Sequence, residues 1–230
     1  MELVCEEFSD EGEWHLGALS ALTALEQLDV NGWRHLLVEG AAALPPALSQ
    51  LRLALAATVT INAALPSLQH LAVEYVDTLQ LGGGQLQLPQ LASLDLSCIK
   101  RELWVDWSLL PSLQLLGFAF DSRWAAVGAE GLSALTNLTS LCLSWNLDPD
   151  NARRASQVLQ AAPPTQLQHL YYDTAALLSA EQRDSLAQLP GLRQLSFGEP
   201  LEESSPSQQP WLEVLRTVLP DKCEVQQPTY

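Results

Sequence analysis

The chain has 230 residues and a formal net charge of −16, from 27 acidic and 11 basic residues. Hydrophobic residues make up 47% of it, so it can bury a sizeable core and general disorder is excluded. A chain this acidic repels phosphate backbones and anionic lipids, and no apolar run approaches the roughly 20 residues that span a bilayer. We therefore expect neither nucleic-acid binding nor membrane insertion.

The N-terminal segment, Met1–Asp10, is acidic and has neither the basic region nor the apolar stretch of a secretory signal. The four cysteines, Cys5, Cys98, Cys142 and Cys223, are far apart, and no two of them form a C-x-x-C pair. This spacing gives little support to a disulfide framework or a zinc site, and it fits a reducing compartment. We predict a cytoplasmic protein that needs no metal and no other cofactor.

One pattern recurs along the chain: a leucine, two residues, a second leucine, one residue and a further apolar residue. Its copies are Leu25-Leu28-Val30, Leu48-Leu51-Leu53, Leu68-Leu71-Val73, Leu91-Leu94-Leu96, Leu113-Leu116-Phe118, Leu138-Leu141-Leu143, Leu167-Leu170-Tyr172 and Leu192-Leu195-Phe197. Successive copies are 20 to 29 residues apart, and a ninth is expected at Cys223-Glu224-Val225. The last two apolar positions have the period of a strand, and a unit that cannot bury its own leucines must stack on its neighbours. The pattern predicts one parallel sheet.

A second set of apolar pairs lies between the first copies: Leu36/Val38, Val59/Ile61, Leu79/Leu81 and Leu103/Val105. Each pair alternates with polar residues, as a short strand does. Because these pairs follow the turn after each leucine strand, we expect them on the outer side of the fold. The first half of the chain should therefore contain two rows of strands.

Helices replace these outer strands in the predicted second half. Residues 149–160 contain helix-start residues and good helix formers, residues 179–189 begin with a Ser-x-x-Gln capping box, and residues 210–219 read as a last helix. Residues 125–135 are a weaker candidate, because glycines at 128 and 131 interrupt them.

The repeated pattern resembles that of the leucine-rich repeat superfamily, over residues 16 to about 226. The best copy, residues 135–146, closes with Asn146, which matches the asparagine of that family's L-x-x-L-x-L-x-x-N pattern. Other copies have Trp33, Ala56, Val76 or Ile99 at that place, so their turns need other stabilisation. The resemblance implies an α/β fold, a curved solenoid with a parallel concave sheet, and it implies nothing about an activity.

The resemblance also suggests how the chain is organised as a single solenoid domain. Residues 1–15 would cap the stack and residues 16–198 would form about eight repeats. Residues 199–210, rich in proline, serine and acid, would be a mobile loop, and residues 211–230 would be a second cap and a tail.

Residues that flank the buried leucines of each strand should point to the concave face. The candidate partner-binding residues there are Asp29, Arg52, His70, Glu74, Asp95, Ser140, His169, Tyr171 and Asp173. A small apolar saddle, Leu115-Gly117-Ala119, lies in the middle. Such a long, mostly acidic surface suits a protein partner, and a basic segment would complement its charge. Two tryptophans that follow strands, Trp33 and Trp145, are either interface anchors on the rim or fillers of gaps in the stack.

Catalysis has little support in the sequence. His70 lies beside Ser93 and His169 beside Ser140, so a Ser–His pair is geometrically possible, but Asp173 is about 13 Å from His169, too far for a triad. The nucleotide-binding, hydrolase and zinc-protease motifs are absent. We therefore predict a non-catalytic interaction module. The alternatives are a structural subunit of a larger assembly or, by analogy alone, the substrate-recognition part of a ubiquitin ligase, although no F-box-like segment precedes the first repeat.

Overall fold

The structure, a computed structural model, describes residues 2–40, 44–120, 131–145, 149–163, 165–172, 180–198, 219 and 223–226. It contains thirteen strands: β1 (Glu2–His15), β2 (Gln27–Gly40), β3 (Gln50–Ala54), β4 (Thr58–Ala63), β5 (His70–Glu74), β6 (Thr78–Leu81), β7 (Ser93–Ser97), β8 (Glu102–Val105), β9 (Leu115–Phe120), β10 (Ser140–Trp145), β11 (His169–Tyr172), β12 (Gln194–Phe197) and β13 (Glu224–Gln226). The two helices are α1 (Pro149–Ala161) and α2 (Ala180–Ala187). Short 3-10 turns span Leu16–Ala21, Trp107–Leu109 and Leu132–Ala134.

All thirteen strands belong to one open parallel sheet, in which the long strand β2 joins two rows. Residues 27–31 of β2 pair with β3, and this row continues through β5, β7, β9, β10, β11, β12 and β13. Residues 35–40 pair with β4, and the second row continues through β6 and β8. We call the first row the leucine ladder and the second the outer ladder. Gly32, with a φ of 82°, lies between the two parts of β2, at an angle that only glycine adopts freely.

The register of the leucine ladder follows the repeated pattern. The second leucine of each copy pairs with that of the next, from Leu28 to Leu195, and Leu195 pairs with Val225. The parallel sheet is thus confirmed. A ninth strand is present at the expected ninth copy, but its register differs from the prediction by two residues, because Val225 and not Cys223 pairs with Leu195. Strand β1 extends both rows, with Leu3 opposite Leu28 and His15 opposite Leu37. The leucine pattern did not predict this strand, which falls within the expected N-terminal cap.

The four apolar pairs expected on the outer side all lie in the outer ladder. The inward residues of β4, β6 and β8 pair in register, as in Val59 with Leu79 and Leu79 with Leu103. Their side chains are buried in the same core cluster as the leucines, except Val105, which is partly buried against it, and burying one such side chain contributes about 1.5–3 kcal/mol. The core therefore lies between the two rows of strands in the first half of the chain.

Two of the predicted helices are present, and they occupy the links between successive leucine strands. Helix α1 connects β10 to β11 and buries Ala155, Val158 and Leu159 in the core. Helix α2 connects β11 to β12 and buries Leu186. Residues 125–130 and 210–218, where further helix was expected, lie outside the described part of the chain, and residues 132–134 form a 3-10 turn. The helix-rich second half therefore remains a prediction.

Candidate functional site

The residues that alternate with the buried leucines form one continuous surface, which we call the polar face. Because neighbouring strands are parallel and in register, equivalent residues of successive strands form a row across the sheet. Neighbouring residues in a row are about 4.8 Å apart. The central row contains Asp29, Arg52, Ala72, Asp95, Gly117, Cys142, Tyr171, Ser196 and Gln226. The row before it contains His70, Ser93, Leu115, Ser140 and His169, and Glu74 stands in the row after it.

Eight of the nine candidate residues thus share this face, as the period of the strands predicted. They fall into two groups, since Asp29, Arg52, His70, Glu74 and Asp95 come from four adjacent strands. The other three, from β10 and β11, lie beyond the intervening strand β9. The ninth candidate, Asp173, lies outside the described residues.

Arg52 holds two of the expected acidic residues in an ion-pair cluster. Its Nε and Nη2 atoms donate to the Oε1 and Oε2 atoms of Glu74 at 3.0 and 2.9 Å, and its Nη1 atom donates to Oδ2 of Asp29 at 2.9 Å. The hydrogen bonds to Glu74, and then those to Asp29, raise the pKa of Arg52 above its ordinary value. The arginine side chain is 44% exposed, so each pair contributes less than about 1 kcal/mol to stability. Because Arg52 compensates part of the charge of Asp29 and Glu74, this part of the face has less uncompensated negative charge than the sequence suggested.

Asp95 has a different environment from Asp29 and Glu74. Ser97 donates a hydrogen bond to its Oδ1 atom at 3.1 Å, and within the described residues Asp95 forms no ion pair. Partial burial of the carboxylate raises the pKa of Asp95, the Ser97 hydrogen bond opposes this, and the nearby charge of Glu74 adds to it. A cation beside Asp95 would stabilise the ionised carboxylate and so offset the effects of burial and of the Glu74 charge.

Gly117 makes room for the carboxylate of Asp95. A Cβ atom at position 117 would lie 3.3 Å from the Cγ and Oδ1 atoms of Asp95, so the carboxylate would have to shift slightly. The charged side chain thus leans over the backbone of the neighbouring strand β9, next to Leu115, which is 41% exposed. The predicted apolar saddle therefore borders Asp95 directly.

A groove of about 290 Å³ lies on the polar face over the first strands of the leucine ladder. Its charged and titratable lining residues are Glu2, Asp29, Arg52, His70 and Asp95. Because the lining contains three acidic residues and one arginine, the groove has a net negative charge. Sequence reasoning did not include Glu2, because strand β1 has no leucine pattern.

The two predicted Ser–His pairs are neighbours in the ladder. His70 stands opposite Ser93 and His169 opposite Ser140, and both histidines are exposed. In the described structure no hydrogen bond joins the members of either pair. Within the same residues, no group of three or more metal-binding side chains occurs.

A rim of left-handed residues borders the polar face, and sequence reasoning missed it. Leu55, Tyr75 and Cys98 directly follow strands β3, β5 and β7, with φ angles of 57°, 54° and 55°. Their amide groups donate to a carbonyl at or next to the end of the neighbouring strand, as in Tyr75 N to Ser97 O at 2.9 Å. Gly32 has the equivalent place after residues 27–31, so an alignment of the repeats on their strand ends could have revealed this position.

The tryptophans contribute differently from one another. Trp33 is half-buried and packs against the core, which fits the gap-filling interpretation, and Trp107 is buried with its ring edge-on to Phe118. Trp104 is 50% exposed on the outer ladder, where its ring covers Gly82. The ring of Trp145 is not among the described side chains.

No helix in the described part of the chain is both long enough and apolar enough to cross a bilayer. No protein-family model matches this chain, and no curated protein sequence matches it.

Proposed function

We propose that this chain is a leucine-rich repeat solenoid that binds a partner protein through its polar face or the adjoining rim, without catalysing a reaction. In this proposal the face is the concave side, the first half has strands on the outer side, and the second half has helices there. The protein acts in the cytoplasm and uses no cofactor. The partner-binding residues are Asp29, Arg52, His70, Glu74, Asp95, Ser140, His169, Tyr171 and Asp173.

The in-register polar face is the observation that carries this proposal. Ten strands, from β1 to β13 along the leucine ladder, are separated by nine steps of about 4.8 Å, so the face is about 43 Å long. Small molecules are bound in enclosed pockets, whereas an open surface of this length suits a polypeptide. The negative groove at one end favours a partner with basic side chains.

A structural role in a larger assembly is the second candidate, and strand β1 favours it. Within the described residues, β1 pairs only with β2, so the backbone groups along its other edge are available to another chain. A protein that remains a monomer in size-exclusion chromatography supports a recognition module, whereas a chain found only in a complex supports a subunit.

Site-specific photocrosslinking can test which surface binds. A benzophenone amino acid would replace Leu115 on the polar face or, as the matched control, Trp104 on the outer ladder, since both side chains are about half exposed. We expect ultraviolet light to link the Leu115 variant, in cell extract, to a defined protein, and the Trp104 variant to give no such adduct. Adducts from Trp104 alone would contradict binding through the polar face.

A further inference from the structure

The rim residues Leu55 and Tyr75 combine backbone strain with apolar exposure. Each has a left-handed backbone, which costs an L-residue other than glycine about 1–2 kcal/mol, and each is 50% exposed. Glycine would remove the strain, as Gly32 does at the equivalent place. The fold gains little burial from either side chain, so an apolar residue at a strained position is better explained by a contact with another molecule.

Asp95 lies close enough to this rim for one ligand to reach both. Asp95 pairs with Ala72 of the neighbouring strand β5. Tyr75 follows Ala72 by three residues, which corresponds to about 10 Å along a strand. Between them lies Glu74, whose carboxylate is already bound by Arg52. The ligand therefore meets one acid that forms no ion pair within the described residues. It also meets two half-exposed apolar side chains, Tyr75 at about 11 Å and Leu55 at about 14 Å once the strand spacing is included.

We propose that Leu55, Tyr75 and Asp95 form a docking site for an extended segment of another protein, which carries a basic side chain and an apolar side chain about three residues apart. In a polyproline-II conformation, residues i and i+3 lie on the same side and about 9 Å apart, close to the distance between the acid and the rim. The basic group pairs with Asp95 and the apolar group packs on Leu55 and Tyr75. This inference rests on the proposed function and specifies its partner.

Charge complementarity selects this occupant over the other candidates. A second copy of this chain would bring a net charge of −16 to a face that is itself negative. Nucleic acid and anionic lipid would be repelled in the same way. A segment with a lysine or arginine instead gains an ion pair with Asp95.

Selection from a random peptide display library on the full immobilised chain tests the inference. We expect the enriched peptides to contain a lysine or arginine with an apolar residue about three positions away. A synthetic peptide of that consensus, labelled for fluorescence anisotropy, is then titrated with the protein and its variants. Asp95→Asn removes the charge at constant shape, and Tyr75→Gly fits the left-handed backbone, so both should fold, which circular dichroism checks.

Each of these substitutions should weaken peptide binding about tenfold, since each removes one strong contact. The controls Glu102→Gln and Trp104→Gly make the same changes in charge and in apolar surface on the outer ladder, and they should leave binding unchanged. A peptide with glutamine in place of its basic residue should lose the same tenfold and become insensitive to Asp95→Asn.

Several outcomes would overturn the inference. These are no enrichment, a consensus without a basic residue, or binding that neither Asp95→Asn nor Tyr75→Gly weakens. If the peptides instead lose binding on Leu115→Ser or Tyr171→Ser, the polar face still binds a protein and only this site is wrong. Self-association that Tyr75→Gly abolishes in analytical ultracentrifugation would identify a second copy as the occupant and also contradict the inference.

Discussion

At the scale of residues, alternation along each strand predicted which side chains share a face but not what they do there. The sequence placed Asp29, Glu74 and Asp95 on the same face and gave no reason to distinguish them. The structure separates them, because Arg52 binds Asp29 and Glu74 on its two neighbouring strands, whereas Asp95 forms no ion pair among the described residues. Such a difference depends on side-chain conformations across neighbouring strands, which the period of a sequence does not contain.

The environment of Asp95 leads to a prediction about pH. Its raised pKa means that the folded protein binds this proton more tightly than the unfolded chain, so the ionised carboxylate lowers stability above the folded pKa. That penalty disappears as the pH falls below the ordinary aspartate pKa of about 3.9. Asp95→Asn should therefore raise the free energy of unfolding at pH 7 and lose this advantage near pH 4.

Urea denaturation at the two pH values measures this effect. Glu102→Gln, an exposed acid on the outer ladder, is the control for the general benefit of one fewer negative charge. If Asp95→Asn were no more stabilising at pH 7 than Glu102→Gln, the carboxylate would not be under an unfavourable local influence.

At the scale of elements, the strands with a leucine or β-branched pattern could all be predicted, and the exceptions have physical reasons. Strand β1 was missed because it buries Leu3 and Cys5 in part, where the repeat would have leucines throughout. The left-handed residues were missed because leucine, tyrosine and cysteine rarely adopt positive φ, and no local signal marks them. Neighbouring strands impose these conformations through hydrogen bonds, as in Leu55 N to Glu74 O at 3.1 Å.

The turn between α2 and β12 gives a prediction at this scale. A Cβ atom on Gly191 would lie 2.9 Å from the carbonyl oxygen of Thr165 and 3.1 Å from that of Leu167, and backbone atoms cannot move aside cheaply. Gly191→Ala should lower the free energy of unfolding by about 1–3 kcal/mol, because a packed turn must shift. Gly84→Ala is the matched control, since nothing lies within 4 Å of a Cβ atom there.

Urea denaturation of the two variants separates these cases. Gly84→Ala should be neutral or slightly stabilising, because alanine reduces the freedom of the unfolded chain. Equal effects of the two substitutions would show that the close approach at Gly191 is not what constrains this turn.

At the scale of the whole molecule, each unit of the leucine ladder contacts its immediate neighbours, so stability is distributed along the stack. Strands β5, β7 and β9 have a partner on both sides, whereas β13 has three residues and, in the described structure, pairs with β12 alone. In stacks of this kind the energy of opening depends on how many neighbours a unit must lose.

Hydrogen exchange followed by mass spectrometry tests this distribution. Amides of β5, β7 and β9 should exchange at least about tenfold more slowly than those of residues 224–226. Opening an inner strand breaks one more strand interface, and each extra increment of about 1.4 kcal/mol in the free energy of opening slows exchange tenfold. The outer strands β4 and β6 should be protected nearly as well, because each also has two partners. Uniform protection along the chain would instead indicate that the sheet opens only as a whole.

The composition of β1 has a consequence for how copies of this protein behave in solution. Six of its fourteen residues are acidic: Glu2, Glu6, Glu7, Asp10, Glu11 and Glu13. If β1 of one molecule paired with β13 of another, each added molecule would present a further β1 edge. Such a head-to-tail contact would repeat and grow into a filament. In the register of the leucine ladder, such a contact would set Glu2 opposite Glu224 of β13. Electrostatic repulsion at neutral pH would oppose this contact, so we expect filament formation to be weaker at pH 7 than at a pH where the carboxylates are protonated.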